Sequence, residues 1–286
     1  MDEVTDTLHP PPPLLFEPAV RNALIEDLGR AGDITTDLIV SAQQRMTARL
    51  VARKAGTISG MIAAECAFRL VDPAVAFRCE APDGTKVREG ALLATIEGPA
   101  RALLTGERVA LNFLGHLSGI ATATRALVDA VAGTKARIVC TRKTTPGLRV
   151  LEKYAVRCGG GFNHRFGLDD AVLIKDNHIA AAGGLRTAVE RTRAGIAHMM
   201  RIEVEVDTLV QLEEALALGV DTILLDNFSL ADLKHAVSAA DGRATLEASG
   251  NVTLATVRAI AETGVDYISS GAITHSAPSL DVGLDF

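Results

Sequence analysis

The fold is decided by residues 202–271, which read IEVEVDTLVQLEEALALGVDTILLDNFSLADLKHAVSAADGRATLEASGNVTLATVRAIAETGVDYISSG. Short apolar runs in this stretch end near Val206, Asp226, Ser249 and Ser269, so they recur about every twenty residues. That interval is the length of one strand, loop, helix and loop. The spacing therefore predicts repeated βα units that build a parallel sheet.

Helix signals separate the apolar runs. Thr208 is followed three residues later by Gln211, as in a capping box, while Ser229 and Thr253 stand before Leu230 and Leu254 as further start signals. Glycines follow each predicted helix, at Gly219, Gly242 and Gly264. Runs such as ILL at 223–225 are apolar on both faces, as expected of strands in a covered or closed parallel sheet.

Two further strands are predicted to end near Cys140 and Lys175, after a long helix over about residues 105–132. We therefore predict an α/β fold, an incomplete (β/α) barrel over residues 116–274. Short β-prone runs with turn signals fill residues 46–98, which predicts a smaller N-terminal α+β domain over residues 1–115. The tail, residues 275–286, is expected to pack on that domain.

Composition excludes several classes of protein. The net charge is −6 and the sequence pI is near 5.7, which argues against nucleic acid or an anionic membrane surface as a partner. No apolar run approaches the roughly 20 residues that would span a bilayer, and the N-terminus does not resemble a signal peptide. We expect a cytoplasmic protein. Its four cysteines lie far apart, so we expect buried free thiols.

Positive charge is concentrated between Thr141 and Lys175. Seven basic residues face three acidic ones there, a local charge of +4 in a chain of −6. Arginine binds carboxylates and phosphates with two parallel hydrogen bonds, and lysine supplies a compact charge, so the segment predicts an anionic ligand. The alternative is a solvated basic loop.

Polar residues at the strand ends are the candidate site, because catalytic groups of a barrel lie at the carboxyl edge. Lys175 ends one strand, where it could face the site or solvent. Glu205 and Asp226 end two consecutive strands and are costly there unless they face a polar cavity or hydrogen-bonded structural neighbours. Two small-residue turns could bind phosphate or be ordinary tight turns. They are Ser249-Gly250-Asn251 and Ser270-Gly271-Ala272.

At these residues the chain resembles the quinolinate phosphoribosyltransferase family, from about Leu24 to near the end. The matching blocks are Glu26–Gly29, Gly32–Thr36, Gly106–Arg108, Leu111–Leu114, Leu117–Thr122, Thr141–Arg149, His164–Leu168, Leu173–His178, Glu203–Val206, Leu224–Asn227, Glu247–Asn251 and Asp266–Ser276. The resemblance implies phosphoribosyl transfer from phosphoribosyl pyrophosphate to quinolinate, with decarboxylation to nicotinate mononucleotide.

The resemblance also implies roles for individual residues. Glu205 and Asp226 would face the ribose and the magnesium pyrophosphate, touching Mg²⁺ only indirectly, and both turns would line the phosphate pocket. Lys143, Lys175, Glu205 and Asp226 would be the catalytic set. The carboxylates and phosphates of the substrates would be held by Thr141, Arg142, Lys143, His164, Arg165 and Lys175.

The resemblance also concerns the oligomeric state, and the chain differs from the usual family sequence at two positions. The resemblance implies a homodimer or higher homo-oligomer in which Arg108 reaches the site of a neighbouring subunit. Cys140 stands where the family usually has aspartate, and Gly115 where glutamine is common.

Two alternative functions stay open at this point: a molybdenum-transport-associated relative with the same fold, and a non-catalytic module that binds a phosphate ligand. The second would not need both Glu205 and Asp226.

Overall fold

A computed structural model describes residues 8–286, so the first seven residues of the predicted N-terminal domain lie outside the described chain. The first half contains α1 (Pro13–Leu28), α2 (Ile34–Ile39), β1 (Arg45–Ala52), β2 (Gly56–Thr57), α3 (Met61–Val71), β3 (Ala76–Cys79), β4 (Lys86–Val87), β5 (Leu92–Pro99) and α4 (Ala100–Ala130). The second half contains β6 (Arg137–Val139), α5 (Arg149–Cys158), β7 (Val172–Ile174), α6 (Asp176–Ala182), α7 (Leu185–Gly195), β8 (Ile202–Val206), α8 (Leu209–Ala217), β9 (Thr222–Asp226), α9 (Leu230–Ala240), β10 (Thr245–Ser249), α10 (Val257–Ala261), β11 (Tyr267–Ser269), α11 (Ala272–His275) and β12 (Val282–Asp285).

The described chain divides into two compact units. The first comprises the residues up to 125, residues 144–160 and residues 272–286, and the second comprises residues 126–143 and 161–271. Helix α5, which follows β6 in the chain, thus belongs to the first unit. The domain boundary after residue 115 stays a prediction.

The first unit has the α+β composition that the sequence predicted. Its main sheet is antiparallel, with the order β12-β1-β5-β3. The tail supplies the edge strand, since Leu284 of β12 lies opposite Leu50 of β1. Helix α4 is longer than expected because it begins at Ala100, immediately after β5. Apolar side chains such as Leu50, Phe68 and Ile96 are fully buried and form its core.

The second unit is an incomplete (β/α) barrel, as predicted. Its six parallel strands have the order β6-β11-β10-β9-β8-β7. This is chain order around a circle that stays open between β6 and β7. Phe162 partly fills the opening, because it bridges to Val139 of β6 in the parallel sense. Closing most of the circle buries both faces of the strands, which explains their continuous apolar runs.

Helix ends in the second unit follow the predicted signals in most places. Thr208 forms its capping box with Gln211, and the Ser229 side chain accepts a hydrogen bond from Asp232 N–H. The helix expected from Leu254 begins later, at Val257. Hydrogen bonds from Thr253 and Thr256 hold the intervening residues in a turn instead.

Within residues 8–286, no helix combines the length and apolar character needed to cross a bilayer.

Candidate active site

A cavity of about 470 Å³ opens at the carboxyl edge of the barrel strands. Every strand of the barrel ends in a residue of its wall or in a loop that supplies one, because parallel strands place their carboxyl ends on the same side. Its lining consists of Thr141, Arg142, Lys143, His164, Arg165, Leu173, Lys175, Glu205, Leu224, Asp226, Glu247, Ser249 and Ser269.

Two arginines give the cavity its positive side. Arg142 follows β6 and Arg165 follows the Phe162 bridge. Burial lowers the pKa of Arg165, and the nearby charge of Arg142 lowers it further. The Arg165 side chain donates to the carbonyl of Ala171 at 3.0 Å, while its buried Nε has no hydrogen-bond partner. An anion placed beside both guanidinium groups would relieve their repulsion.

Lys175 faces the cavity, which resolves the two orientations that the sequence left open. Its ammonium group forms an ion pair with Glu205 from the neighbouring strand β8. The backbone N–H of Lys175 donates to Nδ1 of His178 at 3.0 Å. His178 thus holds the start of α6 and is not part of the cavity wall. Both members of the pair line the cavity, with the Lys175 side chain the more exposed of the two.

Asp226 is held by the turn that follows its strand. The side chain of Asn227 donates to Asp226 Oδ2 at 2.8 Å, and the Asn227 backbone has a left-handed φ of 55°. Gly250, with φ of 95°, lies against this asparagine: a Cβ at Gly250 would stand 2.1 Å from Asn227 Oδ1. Asn251 donates to the same oxygen at 3.3 Å. The turns after β9 and β10 therefore lock together and fix the Asp226 carboxylate.

A buried polar cluster lies at the base of the cavity. His164 Nε2 is 2.8 Å from Glu203 Oε2 and 3.9 Å from Glu247 Oε1. Both acids are more than nine-tenths buried, and the Oε1 atom of each has no hydrogen-bond partner. Burial raises the pKa of Glu247 to about 7, and the charge of Glu203 adds to the increase, while His164 opposes it.

Not all of the predicted residues line the cavity. Gly250 and Asn251 support its wall, and the Ser270 N–H donates to the carbonyl of Val139 within the sheet at 3.0 Å. Gly271 lies outside the lining, and Ala272 begins α11 in the first unit. Helix α10 has five residues and starts six positions beyond Asn251, so a helix N-terminus does not stand at that turn. Arg108 lies on α4 in the first unit, where it lines a surface depression with Asn112.

Four lining residues were not predicted: Leu173, Leu224, Glu247 and Ser269. A signal for Glu247 was present in the sequence. It stands two residues before Ser249, and period-two alternation puts both side chains on one face of β10. An acidic residue within a buried strand is costly unless a polar site receives it, which distinguishes Glu247 from its apolar neighbours.

The two departures from the family pattern fit their surroundings. Cys140 is a free, buried thiol like Cys158, whereas Cys66 is only partly buried and Cys79 is exposed, so the prediction of buried thiols is wrong for those two. The Cys140 thiol donates to the side-chain oxygen of Asn163 at 3.3 Å, and this contact links the end of β6 to the segment that carries His164. The carbonyl of Gly115 accepts from Leu280 N–H at 2.9 Å. A Cβ at Gly115 would lie 3.0 Å from the Leu280 carbonyl oxygen, so the tail packs directly on this helix.

A parallel α/β barrel whose strand ends combine arginines, a lysine and carboxylates is the framework of an enzyme that acts on an anionic substrate. Residues 33–118 match the family "Quinolinate phosphoribosyl transferase, N-terminal domain", and residues 120–285 match the corresponding C-terminal domain. The chain belongs to the quinolinate phosphoribosyl transferase family.

Individual relatives agree with this assignment. The chain is 48% identical to the probable nicotinate-nucleotide pyrophosphorylase [carboxylating] of Synechocystis, over 96% of this chain and 93% of the relative. It is 48% identical to the nicotinate-nucleotide pyrophosphorylase of Mycobacterium leprae, over 93% and 95% of the two chains. The crystal structure of NadC from Streptococcus pyogenes superposes with a TM-score of 0.93 at 42% identity, covering 97% of this chain and 98% of that one. These names do not favour the molybdenum-associated alternative.

Proposed function

We propose that this protein transfers the phosphoribosyl group of phosphoribosyl pyrophosphate to the ring nitrogen of quinolinate and releases carbon dioxide, forming nicotinate mononucleotide and pyrophosphate. The observation that carries the proposal is the joint presence of cations and carboxylates in one cavity of a chain from this family. A site for a single phosphate ligand would need the cations but not the pair Glu205 and Asp226.

Recognition of quinolinate is assigned to the positive side of the cavity. Quinolinate carries two carboxylates on adjacent ring carbons, so it requires at least two cationic partners in fixed positions. Arg142 and Arg165 supply guanidinium groups, and the repulsion between them favours a dianion. Lys175 lies on the same wall and can exchange its contact with Glu205 for one with a substrate carboxylate. Thr141 and Lys143 follow Cys140 and extend this wall.

Ribosyl transfer is assigned to the acidic side. The bond between the anomeric carbon and the pyrophosphate oxygen breaks, and a bond from that carbon to the ring nitrogen forms. Positive charge develops on the ribose ring as the pyrophosphate leaves, and Glu205 and Asp226 would stabilise it. Their carboxylate oxygens are also suited to Mg²⁺ bound by pyrophosphate, which would neutralise the leaving group. Ser249 would contact the phosphate that stays on the product.

Decarboxylation needs no covalent intermediate with the enzyme. After transfer the ring nitrogen is positively charged, so it can accept the electron pair that remains when the bond from the ring carbon to the adjacent carboxylate breaks. That carbon then takes up a proton. Arg142, Arg165 and Lys175 would hold the second carboxylate and keep the ring in place.

The first experiment measures the complete reaction. Purified protein is incubated with quinolinate, phosphoribosyl pyrophosphate and magnesium, while nicotinate mononucleotide, pyrophosphate and carbon dioxide are followed. We expect conversion of quinolinate but not of nicotinate, loss of activity on magnesium chelation, and a decrease of at least about 100-fold in kcat/KM for Lys175→Ala.

The matched control is Lys234→Ala, which removes an exposed lysine on α9 and should leave the rate unchanged. Absence of product from wild-type protein would exclude the proposed activity. Product formation at the wild-type rate by Lys175→Ala would keep the activity but move its site elsewhere.

We also propose a homo-oligomer in which Arg108 reaches the cavity of a neighbouring subunit. Three apolar side chains in the first unit support an interface, because Leu14, Leu38 and Ile39 are 84%, 81% and 78% exposed. Arg108 belongs to the same unit and is not among the residues that line the cavity. The cytoplasmic location stays a prediction.

A further inference from the structure

Both ring nitrogens of His164 are engaged within the protein. Nδ1 accepts a hydrogen bond from the backbone N–H of Arg165 at 2.8 Å. An Nδ1 that accepts carries no proton, so the neutral ring must carry its proton on Nε2. That proton faces Glu203 Oε2, which lies 2.8 Å away. The contacts therefore define one tautomer, and they leave neither nitrogen of His164 to donate to a ligand in this conformation.

The chain of contacts runs from the buried acids to a residue of the cavity wall. Glu203 on β8 accepts a hydrogen bond from Nε2 of His164, and Nδ1 of His164 accepts one from the backbone N–H of Arg165. The guanidinium of Arg165 in turn donates a hydrogen bond to the carbonyl oxygen of Ala171. A displacement of the imidazole ring would move the backbone from which the Arg165 side chain extends.

Glu247 on β10 is the second acid close to His164. Its Oε1 lies 3.9 Å from His164 Nε2, too far for a hydrogen bond but close enough to sense its charge. The charged and polar groups around it are Glu203 from β8, Ser269 from β11, and His164. Two adjacent ionised carboxylates in a buried site repel each other, and the raised pKa of Glu247 lets it keep a proton at a pH where an exposed carboxyl has lost it.

A hydrogen-bonded network describes this cluster better than a metal site does. One ligand atom each from His164, Glu203 and Glu247 lies within 4.8 Å of the others, as metal ligands could. However, a metal ion would have to replace the Nε2 proton that the contact with Arg165 requires on this ring. It would also stand near the cationic Arg165.

We propose that Glu203 and Glu247 are positioning residues. Together they fix the tautomer and orientation of His164 and, through it, the backbone of Arg165 on the positive side of the cavity, where quinolinate would bind. The proposal deepens the proposed function and rests on it. It also gives His164 a role in positioning, whereas the resemblance to the family implied direct contact with substrate.

The first test reads the tautomer without measuring activity. Long-range proton–nitrogen NMR correlation spectra of the labelled full-length protein distinguish Nε2–H, Nδ1–H and doubly protonated histidines, and His164→Gln assigns the signal. We expect the Nε2–H form at about pH 7, with and without quinolinate. An Nδ1–H form, or double protonation when quinolinate binds, would overturn the proposal. Zinc bound to purified wild-type protein and absent from Glu203→Gln would also overturn it, because the cluster would then be a metal site.

The second test separates positioning from direct chemistry by steady-state kinetics. Glu203→Leu removes the acceptor at similar size, and we expect KM for quinolinate to rise at least about tenfold, with KM for phosphoribosyl pyrophosphate changing less than about threefold. Glu203→Gln keeps an oxygen that can accept from Nε2 and should restore most of the affinity. An unchanged quinolinate KM in Glu203→Leu would overturn the proposal. If Glu203→Leu does not fold, the NMR measurement of the His164 tautomer in wild type and in Glu203→Gln tests the proposal instead.

Glu247→Gln imitates the protonated acid. In wild type, KM for quinolinate should rise as pH increases through about 7, because a second negative charge then forms beside Glu203. Glu247→Gln should remove this dependence while kcat stays within about threefold of wild type. A loss of kcat above about 100-fold at unchanged KM would identify Glu247 as a direct proton donor and overturn the positioning role.

The control for both acids is Glu213→Gln, which removes an exposed carboxylate on α8 and should match wild type. An inactive wild type would reject the proposed function, yet the NMR result would still decide whether the acid pair fixes His164.

Discussion

Gly250 shows how a single residue controls the geometry of a site from outside its lining. Its left-handed φ of 95° and its closeness to Asn227 both require the absence of a Cβ. Since Asn227 donates to Asp226, a shift at residue 250 reaches the carboxylate assigned to the ribose. The sequence pointed to Gly250 as a possible phosphate-binding turn, but the structure shows that it supports the neighbouring turn.

Gly250→Ala should therefore reduce activity more than stability. The backbone strain costs about 1–3 kcal/mol of unfolding free energy, and displacement of Asn227 should lower kcat/KM for phosphoribosyl pyrophosphate at least about tenfold. Urea unfolding and steady-state kinetics measure the two effects. Gly242→Ala is the control, because φ is 75° there but a Cβ would meet no atom within 4 Å. Equal activity of the two variants would contradict this role for Gly250.

Residues also differ in how well the sequence revealed them. Lys175, Glu205 and Asp226 were found because each polar residue interrupts an apolar pattern at a strand end. Period-two alternation puts Glu203 on the same face of β8 as Glu205, but its hydrogen-bond partner His164 is 39 positions away along the chain. A single sequence does not show that residues so far apart along the chain meet, and the substrate contact predicted for His164 came only from the resemblance to the family.

At the scale of elements, α4 and the tail illustrate close packing within the first unit. A Cβ at Gly119 would lie 2.2 Å from the carbonyl oxygen of Pro278, and this oxygen belongs to the backbone. The tail continues from there into β12, which pairs with β1. A small residue in the middle of the long helix therefore determines where the tail can lie.

Gly119→Ala should destabilise the protein although alanine is the better helix former. Helix propensity alone would add up to about 1 kcal/mol, whereas the collision with Pro278 should lower the unfolding free energy by about 1–3 kcal/mol. Gly195→Ala, at the end of α7, has open space around the new Cβ and should cause no loss. Urea unfolding of both variants measures the difference. A Gly119→Ala variant as stable as wild type would show that the tail can move without cost.

For the whole molecule, the main prediction concerns assembly. If Arg108 acts in the cavity of a neighbouring subunit, the inactive variants Arg108→Ala and Lys175→Ala should complement each other when mixed. Each mixed dimer would contain one cavity with both residues intact, so an equal mixture should regain about a quarter of wild-type activity. The subunits are exchanged by dilution and reconcentration before the assay.

Two controls accompany the mixing experiment. Each variant incubated alone should stay inactive, and a mixture of Lys175→Ala with Glu205→Gln should not recover, because both residues belong to the same cavity. No recovery in the first mixture, despite subunit exchange detected by mass spectrometry, would place the action of Arg108 within its own subunit.

The sequence by itself determined that the fold is an incomplete barrel and which strand-end residues form most of the site. It could do so because strand length, helix caps and polar interruptions are local properties that repeat along the chain. It did not reveal the Phe162 bridge at the opening of the barrel. Only the tertiary structure decided that Lys175 pairs with Glu205, that Gly250 supports Asn227, and that Glu203 and Glu247 meet at His164. These contacts join residues from different strands and loops, and their cost or benefit depends on burial, which arises only when the chain has closed around them.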